Sequence, residues 1–130
     1  MKNIKRLTDI NFKYLGDWLL KDKKLYHTID DTSITNFLYA FVVNDDIKYI
    51  GKSTQSIKKR FSGYMTPGPS QSTNIKNNKN IKQELKNNNG IKIYIFKSDD
   101  MLKYGEFNIN LAAGLEDILI STIKPIWNKK

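Results

Sequence analysis

Residues 37–51, which read FLYAFVVNDDIKYIG, carry the clearest structural signal in this chain of 130 residues. Residues 37–43 are apolar, β-branched or aromatic, which is typical of a buried strand. Asn44 and the two aspartates after it favour a tight turn, because short polar side chains tolerate the backbone of such turns. IKYIG then returns as a second strand that ends at Gly51. The segment therefore predicts a β-hairpin.

Two helices are predicted after the hairpin. Ser53 or Thr54 can cap the first of them. Its apolar residues recur at helical spacing, at Ile57, Phe61 and Tyr64. The segment TPGPSQS at 66–72 should end that helix, because it is rich in turn-forming residues. A second helix is predicted over about 75–86, with Gly90 favouring its end.

A third strand and a last helix complete the pattern. IKIYIF at 91–96 alternates apolar and polar residues, so its three isoleucines should share one face of a strand. SDDMLKYGEFN at 98–108 is predicted to be a loop. INLAAGLEDILISTIK at 109–124 is the strongest helix, and Pro125 ends it. Its predicted apolar stripe consists of Leu111, Leu115, Ile118, Leu119 and Thr122.

The first 35 residues differ from the rest of the chain. Phe12, Leu15 and Leu19 recur at helical spacing with Trp18 beside them, which predicts a short amphipathic helix. We expect it to pack on the main domain or on a second subunit. The predicted organisation is an N-terminal helical extension at 1–35, for contact with a dimer partner or DNA, and a domain at 36–130. The fold class is α+β, with a small antiparallel sheet flanked by helices.

Composition limits the function classes. The net charge of +9 and the pI near 9.6 favour a polyanionic partner such as nucleic acid, although a lysine-rich solvated surface is the plainer alternative. The chain lacks cysteine, which excludes disulfides and thiolate metal sites. No apolar run approaches the length of a membrane span, and the first twenty residues do not resemble a signal peptide. We expect a cytoplasmic protein that does not enter a membrane.

A set of polar and aromatic residues suggests phosphodiester cleavage. Its members are Tyr39, Tyr49, Arg60, Tyr64, Glu116 and Asn128. Arg60 is one of only two arginines in the chain, and a guanidinium can grip a phosphate with a planar fork. A carboxylate such as Glu116 can hold Mg²⁺ near the leaving oxygen. A tyrosine beside Lys52 could take a proton from water if its pKa were lowered.

These residues resemble the motifs of the GIY-YIG nuclease family. YIG at 49–51 is intact, whereas FLY at 37–39 stands where the family has Gly-Ile-Tyr. Arg60 matches the family's arginine, and Tyr64 occupies a place that often holds histidine. Glu116, in GLEDILI, matches the metal-binding glutamate, and Asn128, in KPIWN, matches the late asparagine. The resemblance runs from about residue 37 to 128, closest to restriction-type and small phage-type endonucleases.

The resemblance implies a three-stranded antiparallel sheet flanked by helices, and a DNA endonuclease that uses Mg²⁺ or Mn²⁺. Glu116 would bind the metal, while Arg60, with Tyr64 or Lys76, would grip the scissile phosphate. One of Tyr39 and Tyr49 would orient or deprotonate the water. Asn128 would position Glu116. The implied partner is double-stranded DNA, and cutting both strands favours a homodimer or higher homo-oligomer.

Several alternatives stay open. The tyrosines are also ordinary strand residues, and Asp117 is a rival metal ligand. Lys52, Lys58, Lys59, Lys76 and Lys79 could be general phosphate contacts, and the amides of Gln71, Asn74, Asn77 and Asn78 could read adenine edges. His27 is expected to lie on the surface. Other functions are a low-specificity or structure-specific nicking nuclease, a non-catalytic DNA-binding module with a degenerate nuclease fold, or an RNA-binding protein.

Overall fold

A five-stranded antiparallel sheet forms the centre of the molecule, in the order β2-β1-β5-β3-β4. The computed structural model describes residues 3–98 and 102–128. The strands are β1 (Lys13–Lys21), β2 (Lys24–His27), β3 (Phe37–Val43), β4 (Asp46–Ser53) and β5 (Ile91–Lys97). The mixed α+β class is confirmed, but the sheet is larger than the three strands expected. Within the two described ranges, no helix is long and apolar enough to cross a bilayer.

The predicted hairpin of β3 and β4 is confirmed. Tyr39 pairs with Gly51, and the turn residues Asn44 and Asp45 have φ of 50° and 63°. Short polar side chains accept this left-handed backbone more readily than other non-glycine residues do. Every residue of β3 is at most 3 % exposed, because both faces of the strand are covered. This burial explains the uninterrupted apolar run at 37–43.

Two layers of helices cover the sheet. On one face lie α2 (Ile57–Met65) and α3 (Ser72–Lys86), and on the other lie α1 (Lys5–Thr8) and α4 (Leu111–Ile123). The three isoleucines of β5 face α2 and α3, which confirms their predicted common face. The core on that side also holds Phe61 and Tyr64. A short 3₁₀ helix, Ile126–Asn128, ends the described chain.

The helix predicted near the N-terminus is wrong, because this segment forms β1 and β2. Trp18 is 1 % exposed, and its ring centroid lies 5.4 Å from that of Phe61. Gly16 and Trp18 point inward while Leu19 points out, so the period is two, not that of a helix. Trp18 is therefore a core residue, and it is unavailable for contact with a second subunit. β1 pairs with β5, which places strands from 1–35 and 36–130 in one sheet.

Three smaller expectations also need correction. The cap of α2 is Ser56, whose hydroxyl accepts from the Lys59 N–H, because the strand continues through Ser53. Leu111, Leu115 and Leu119 face inward as predicted, but Ile118 is 59 % exposed and Thr122 is exposed too, so the inward stripe of α4 is shifted. That stripe consists of Leu111, Ala112, Leu115, Leu119, Ile120 and Ile123. The predicted loop holds a small hairpin of β6 (Lys103–Tyr104) and β7 (Phe107–Asn108), and its residues 99–101 lie outside the described chain.

His27 is half-buried at the end of β2, contrary to the expected surface position. Its ring packs edge-on against the rings of Trp18 and Phe61, with centroids 5.8 Å away in each case. Its Nδ1 accepts a hydrogen bond from the Ile29 N–H, and burial lowers its pKa. His27 thus packs against the core beneath α2.

Replacing each of two adjacent asparagines on α3 should change the free energy of unfolding in opposite directions. Asn77 is 1 % exposed, and its amide has no hydrogen-bond partner among the described residues, whereas Asn78 donates to the carbonyl of Tyr64 at 2.7 Å. Asn77→Leu, which keeps the side chain's size, is expected to raise the free energy of unfolding by about 1–3 kcal/mol by removing an unpaired amide. Asn78→Leu should lower it. Urea denaturation of both variants checks this, and an equal loss in both would contradict it.

Candidate active site

Three consecutive residues of the edge strand β4 gather side chains from three other elements. The Tyr39 ring, from β3, lies against Gly51 so closely that a Cβ there would be 2.5 Å from Tyr39 Cζ. Asn128 binds the backbone of Ile50. The Lys52 Nζ lies 3.8 Å from Oε1 of Glu116, which comes from α4. The site is therefore built around residues 50–52, with components from both faces of the sheet.

On one face, Arg60 binds the hydroxyls of two tyrosines. Its Nε donates to Tyr39 Oη at 3.1 Å, and its Nη2 donates to Tyr64 Oη at 2.6 Å. The two hydroxyl oxygens are themselves 2.6 Å apart. Arg60 and Tyr64 are four residues apart on α2, so the helix presents them side by side, with Arg60 Cζ 4.2 Å from the Tyr64 ring centroid. The sequence prediction that these residues share a face is thus met in the structure.

Both tyrosines are in environments that favour the protonated form. Burial raises the pKa of Tyr39 and that of Tyr64, and nearby Arg60 only partly opposes this. This shift is opposite to the lowering that a general base would need. Only one of the two hydroxyl protons can lie between the two oxygens, so the other can be donated elsewhere. The pair can therefore hold Arg60 and donate a hydrogen bond at neutral pH.

The ring of Tyr49 packs beside this cluster. Its ring centroid is 6.1 Å from that of Tyr39 and 5.8 Å from that of Phe41. It is 9 % exposed, compared with 1 % for Tyr39. Tyr49 is therefore the more accessible of the two strand tyrosines that the sequence singled out.

On the other face, Glu116 lies half-buried against β4. Burial raises the pKa of its carboxyl, while the charge and the backbone N–H of Lys52 act in the opposite direction. Asp117, the rival metal ligand, is exposed. Glu116 is thus the carboxylate that α4 turns toward the site.

Asn128 holds the edge of β4. Its Oδ1 accepts from the Ile50 N–H at 2.9 Å, and its Nδ2 donates to the Ile50 carbonyl at 2.8 Å. The amide thereby satisfies two backbone groups that an edge strand would otherwise leave unpaired. Asn128 was expected to hydrogen-bond Glu116, but its side chain instead fixes the strand beside the Gly51 and Lys52 positions.

A cleft of about 660 Å³ opens beside Arg60, between α2 and the start of α3. Lys59 and Arg60 give it positive charge. The other lining residues are Gln55, Ser62, Gly63, Thr66, Gly68, Gln71 and Asn74. Lys76 and Lys79, the expected phosphate contacts of α3, are exposed and do not line this cleft, whereas Lys59 does. The cleft is suited in charge and polarity to a phosphate.

The amides expected to read bases are largely used inside the protein. Asn74 accepts from Arg60 Nη1 at 2.9 Å, and Gln71 accepts from the amide of Asn74 at 3.0 Å. Asn77 and Asn78 are buried. α3 begins at Ser72 rather than near residue 75, so Asn74 lies within the helix, on the side that faces α2. The contact of Asn74 with Arg60 was missed, and only the correct helix start would have indicated it.

Glu116 is the carboxylate of the candidate site that could bind a metal. No group of three or more His, Cys, Asp or Glu side chains that could hold an ion occurs in residues 3–98 and 102–128. Mg²⁺ commonly binds through one or two carboxylates, with water and substrate phosphate oxygens completing its shell. Glu116 fits that pattern, and the nearby ammonium of Lys52 makes a site without DNA less favourable for a cation. The donor set therefore fits Mg²⁺ together with a phosphate.

Gly51 is required by the packing of Tyr39. Gly51→Ala is expected to lower the free energy of unfolding by about 1–3 kcal/mol, because the fully buried ring cannot move away from the new methyl group. Gly90→Ala is the matched control, since a Cβ there meets nothing within 4 Å. Chemical denaturation compares the two. Equal stability of the two variants would show that the ring can relax.

The fold is shared with two solved nuclease structures. Bacteriophage T4 EndoII, solved as a glutamate-to-alanine mutant, matches with a TM-score of 0.74 and 22% identity, over 99% of this chain and 100% of that chain. Restriction endonuclease HPY188I in complex with product DNA matches with a TM-score of 0.56 and 20% identity, over 100% of this chain and 83% of that chain. No family model matches the sequence, and no curated protein matches it. At these identities the likeness shows a common fold.

Proposed function

We propose that this chain is a divalent-metal-dependent DNA endonuclease of the GIY-YIG type. The observation that carries the proposal is the arrangement of Arg60 and Glu116 on either side of the edge strand β4, joined through Gly51 and Lys52. A forked cation and a half-buried carboxylate around one strand are the groups that phosphodiester hydrolysis needs. The fold shared with EndoII and HPY188I, the latter bound to product DNA, supports a DNA substrate. The net charge of +9 agrees with it.

Arg60 grips the scissile phosphate. Side chains in the described chain accept three of its guanidinium N–H bonds, and a guanidinium has five. Two N–H groups are then left for phosphate oxygens, and the side chain lines the charged cleft. As charge builds on the equatorial oxygens, the fixed guanidinium stabilises it without first having to reorient. Lys59, in the same cleft, adds a general attraction for the DNA backbone.

Glu116 holds the cation. Mg²⁺ or Mn²⁺ bound there would supply positive charge at the leaving 3′-oxygen. Lys52, 3.8 Å from the carboxylate, balances its charge while DNA is absent and can contact a flanking phosphate once DNA is present. Asn128 keeps β4 in register so that residues 50–52 stay in place. Burial of Glu116 favours its neutralisation, which cation binding would provide.

The tyrosines position groups more than they exchange protons. Tyr39 and Tyr64 stay protonated and hold the guanidinium in place. We assign the orientation of the attacking water to Tyr49, the less buried of the two strand tyrosines, and we assign Tyr39 to holding Arg60. Attack of water on phosphorus breaks the P–O3′ bond. The water loses a proton to solvent and the leaving 3′-oxygen takes one up, so the products are a 5′-phosphate and a 3′-hydroxyl.

Cutting a duplex requires two such sites or two encounters, because one chain provides one site. We therefore propose a homodimer or higher homo-oligomer that cuts both strands in a restriction-like manner. The second candidate is a nuclease of low sequence specificity that nicks DNA. It is favoured by the internal hydrogen bonds of Gln71, Asn74 and Asn78, which leave these amides less able to read base edges.

The products of digestion test this proposal. Purified protein is incubated with plasmid DNA and, separately, with a structured RNA of similar length, in Mg²⁺. We expect cleavage of the DNA alone, with ends that a DNA ligase joins without prior phosphorylation. Discrete fragments would indicate sequence recognition, and a smear would favour the low-specificity candidate. Intact DNA under all conditions, or cleavage confined to RNA, would contradict a DNA endonuclease.

A further inference from the structure

The guanidinium of Arg60 has a third contact that belongs to neither tyrosine. Its Nη1 donates to Oδ1 of Asn74 at 2.9 Å, so all three guanidinium nitrogens bind a side chain. The acceptors come from three different elements: Tyr39 from β3, Tyr64 from α2 and Asn74 from α3. Since the three acceptors are spread around the planar group, they restrain both its plane and its rotation about its bonds.

The Asn74 amide is itself fixed in orientation. Its Nδ2 donates to Oε1 of Gln71 at 3.0 Å, and the same oxygen accepts from the backbone N–H of Gly68 at 2.9 Å. Gln71 must therefore present oxygen to both donors, and Asn74 must turn its nitrogen toward Gln71 and its oxygen toward Arg60. A chain of hydrogen bonds thus runs from the 66–71 segment, which lines the cleft, to the guanidinium.

Gly63 makes this contact possible. A Cβ at Gly63 would lie 2.9 Å from the Asn74 Nδ2 and 3.6 Å from the Arg60 Nη1. A side chain on α2 at this position would therefore push Asn74 away from Arg60. The absence of a side chain lets α3 bring Asn74 within reach of the guanidinium.

We propose that Asn74, held by Gln71, is a positioning residue that sets the direction of the two remaining Arg60 N–H groups toward the scissile phosphate. This inference rests on the proposed nuclease function. Asn74 itself contacts the guanidinium and need not touch DNA. Because Gly68 and Gln71 line the same cleft as Arg60, a DNA backbone entering there contacts the segment that orients the arginine. Binding of the DNA backbone in the cleft is thereby coupled to the orientation of the Arg60 guanidinium that grips the phosphate.

Kinetics test the positioning of the phosphate grip. Asn74→Ala is expected to reduce kcat by about ten- to a hundred-fold, with KM for DNA changed by less than about twofold, because Arg60 keeps its charge and loses its orientation. In an Arg60→Ala background the same change should cost nothing further. Gln83→Ala, an exposed amide on the same helix, is the control and should leave kcat unchanged. Full activity of Asn74→Ala, or an equal additional loss in the Arg60→Ala background, would overturn the inference.

Guanidinium NMR tests the restraint without reference to activity. The chain has two arginines, and exposed Arg6 serves as the internal reference. We expect rotation about the Arg60 Cζ–Nη1 bond to be slower than in Arg6, to become faster in Asn74→Ala, and to stay slow in Asn74→Asp, which keeps an acceptor oxygen. Unchanged rotation in Asn74→Ala would overturn the restraint. A wild type that cuts no DNA but shows the expected rotation would overturn the proposed function and leave the restraint in place.

Discussion

Glu116→Ala is expected to reduce Mg²⁺-dependent cleavage of plasmid DNA by about a thousand-fold or more. Glu116 is the carboxylate that α4 turns toward β4, and in the described chain no cluster of acidic side chains could replace it. Single-turnover rates of plasmid cutting measure the loss. Asp117→Ala, at the exposed neighbouring position, is the matched control and should cut at close to the wild-type rate. Cutting by Glu116→Ala with loss in Asp117→Ala would transfer the metal role to Asp117.

The ionised carboxylate of Glu116 should lower the free energy of unfolding at neutral pH. Such a cost is expected of a residue with a functional role rather than a structural one. Burial raises the pKa of Glu116, so the folded state loses stability as pH rises above the ordinary value of 4.5. Glu116→Gln should therefore be more stable than wild type at pH 7, by less than about 1 kcal/mol because solvent screens the half-exposed group. The difference should vanish at about pH 3, where the carboxyl is protonated in both states. A less stable Glu116→Gln at pH 7 would indicate that the ion pair with Lys52 dominates.

Arg60→Lys is expected to reduce the cleavage rate by about a hundred- to a thousand-fold while the protein stays folded. The charge is kept, but an ammonium cannot bind Tyr39, Tyr64 and Asn74 on three sides and still present a fork to a phosphate. Arg6→Lys, at the exposed second arginine, is the matched control and should cut like wild type. Circular dichroism confirms the fold of both variants.

A near-normal rate for Arg60→Lys would mean that charge alone serves the phosphate. In that case the hydrogen bonds of Arg60 with the tyrosines would be structural. A rate reduced by the same factor in Arg6→Lys would instead indicate a general loss of DNA binding.

The hairpin and the α2 stripe could be predicted because each carries one unambiguous local signal. Residues 37–43 are buried on both faces, and Ile57, Phe61 and Tyr64 all face one core. The segment of β1 carries two periodicities at once. Phe12, Leu15 and Leu19 fit a helix, whereas Gly16 and Trp18 fit a strand, and the strand is selected by pairing with β5, which lies more than 70 residues away. Such a distant partner leaves no local signal in the sequence.

The residues of the candidate site could be predicted from the sequence, but only some of their contacts could. The spacing of Arg60 and Tyr64 on one helix places them together, and the hairpin brings Tyr39 next to Gly51. The raised pKa of Tyr39 could not be foreseen, because it follows from burial by α2 and by the aromatic core. The contact of Asn74 depends on where α3 begins and on how closely it approaches Gly63. Both are consequences of tertiary packing.

We propose that this chain cuts DNA with a cation held at Glu116, and one experiment tests this most directly. Wild-type protein is incubated with supercoiled plasmid in Mg²⁺ and, in parallel, in EDTA, and the loss of the supercoiled form is followed over time. We expect conversion to nicked or linear DNA in Mg²⁺ and intact supercoiled DNA in EDTA. Equal cutting in both, or no cutting in Mg²⁺ by folded protein that binds the plasmid, would contradict it.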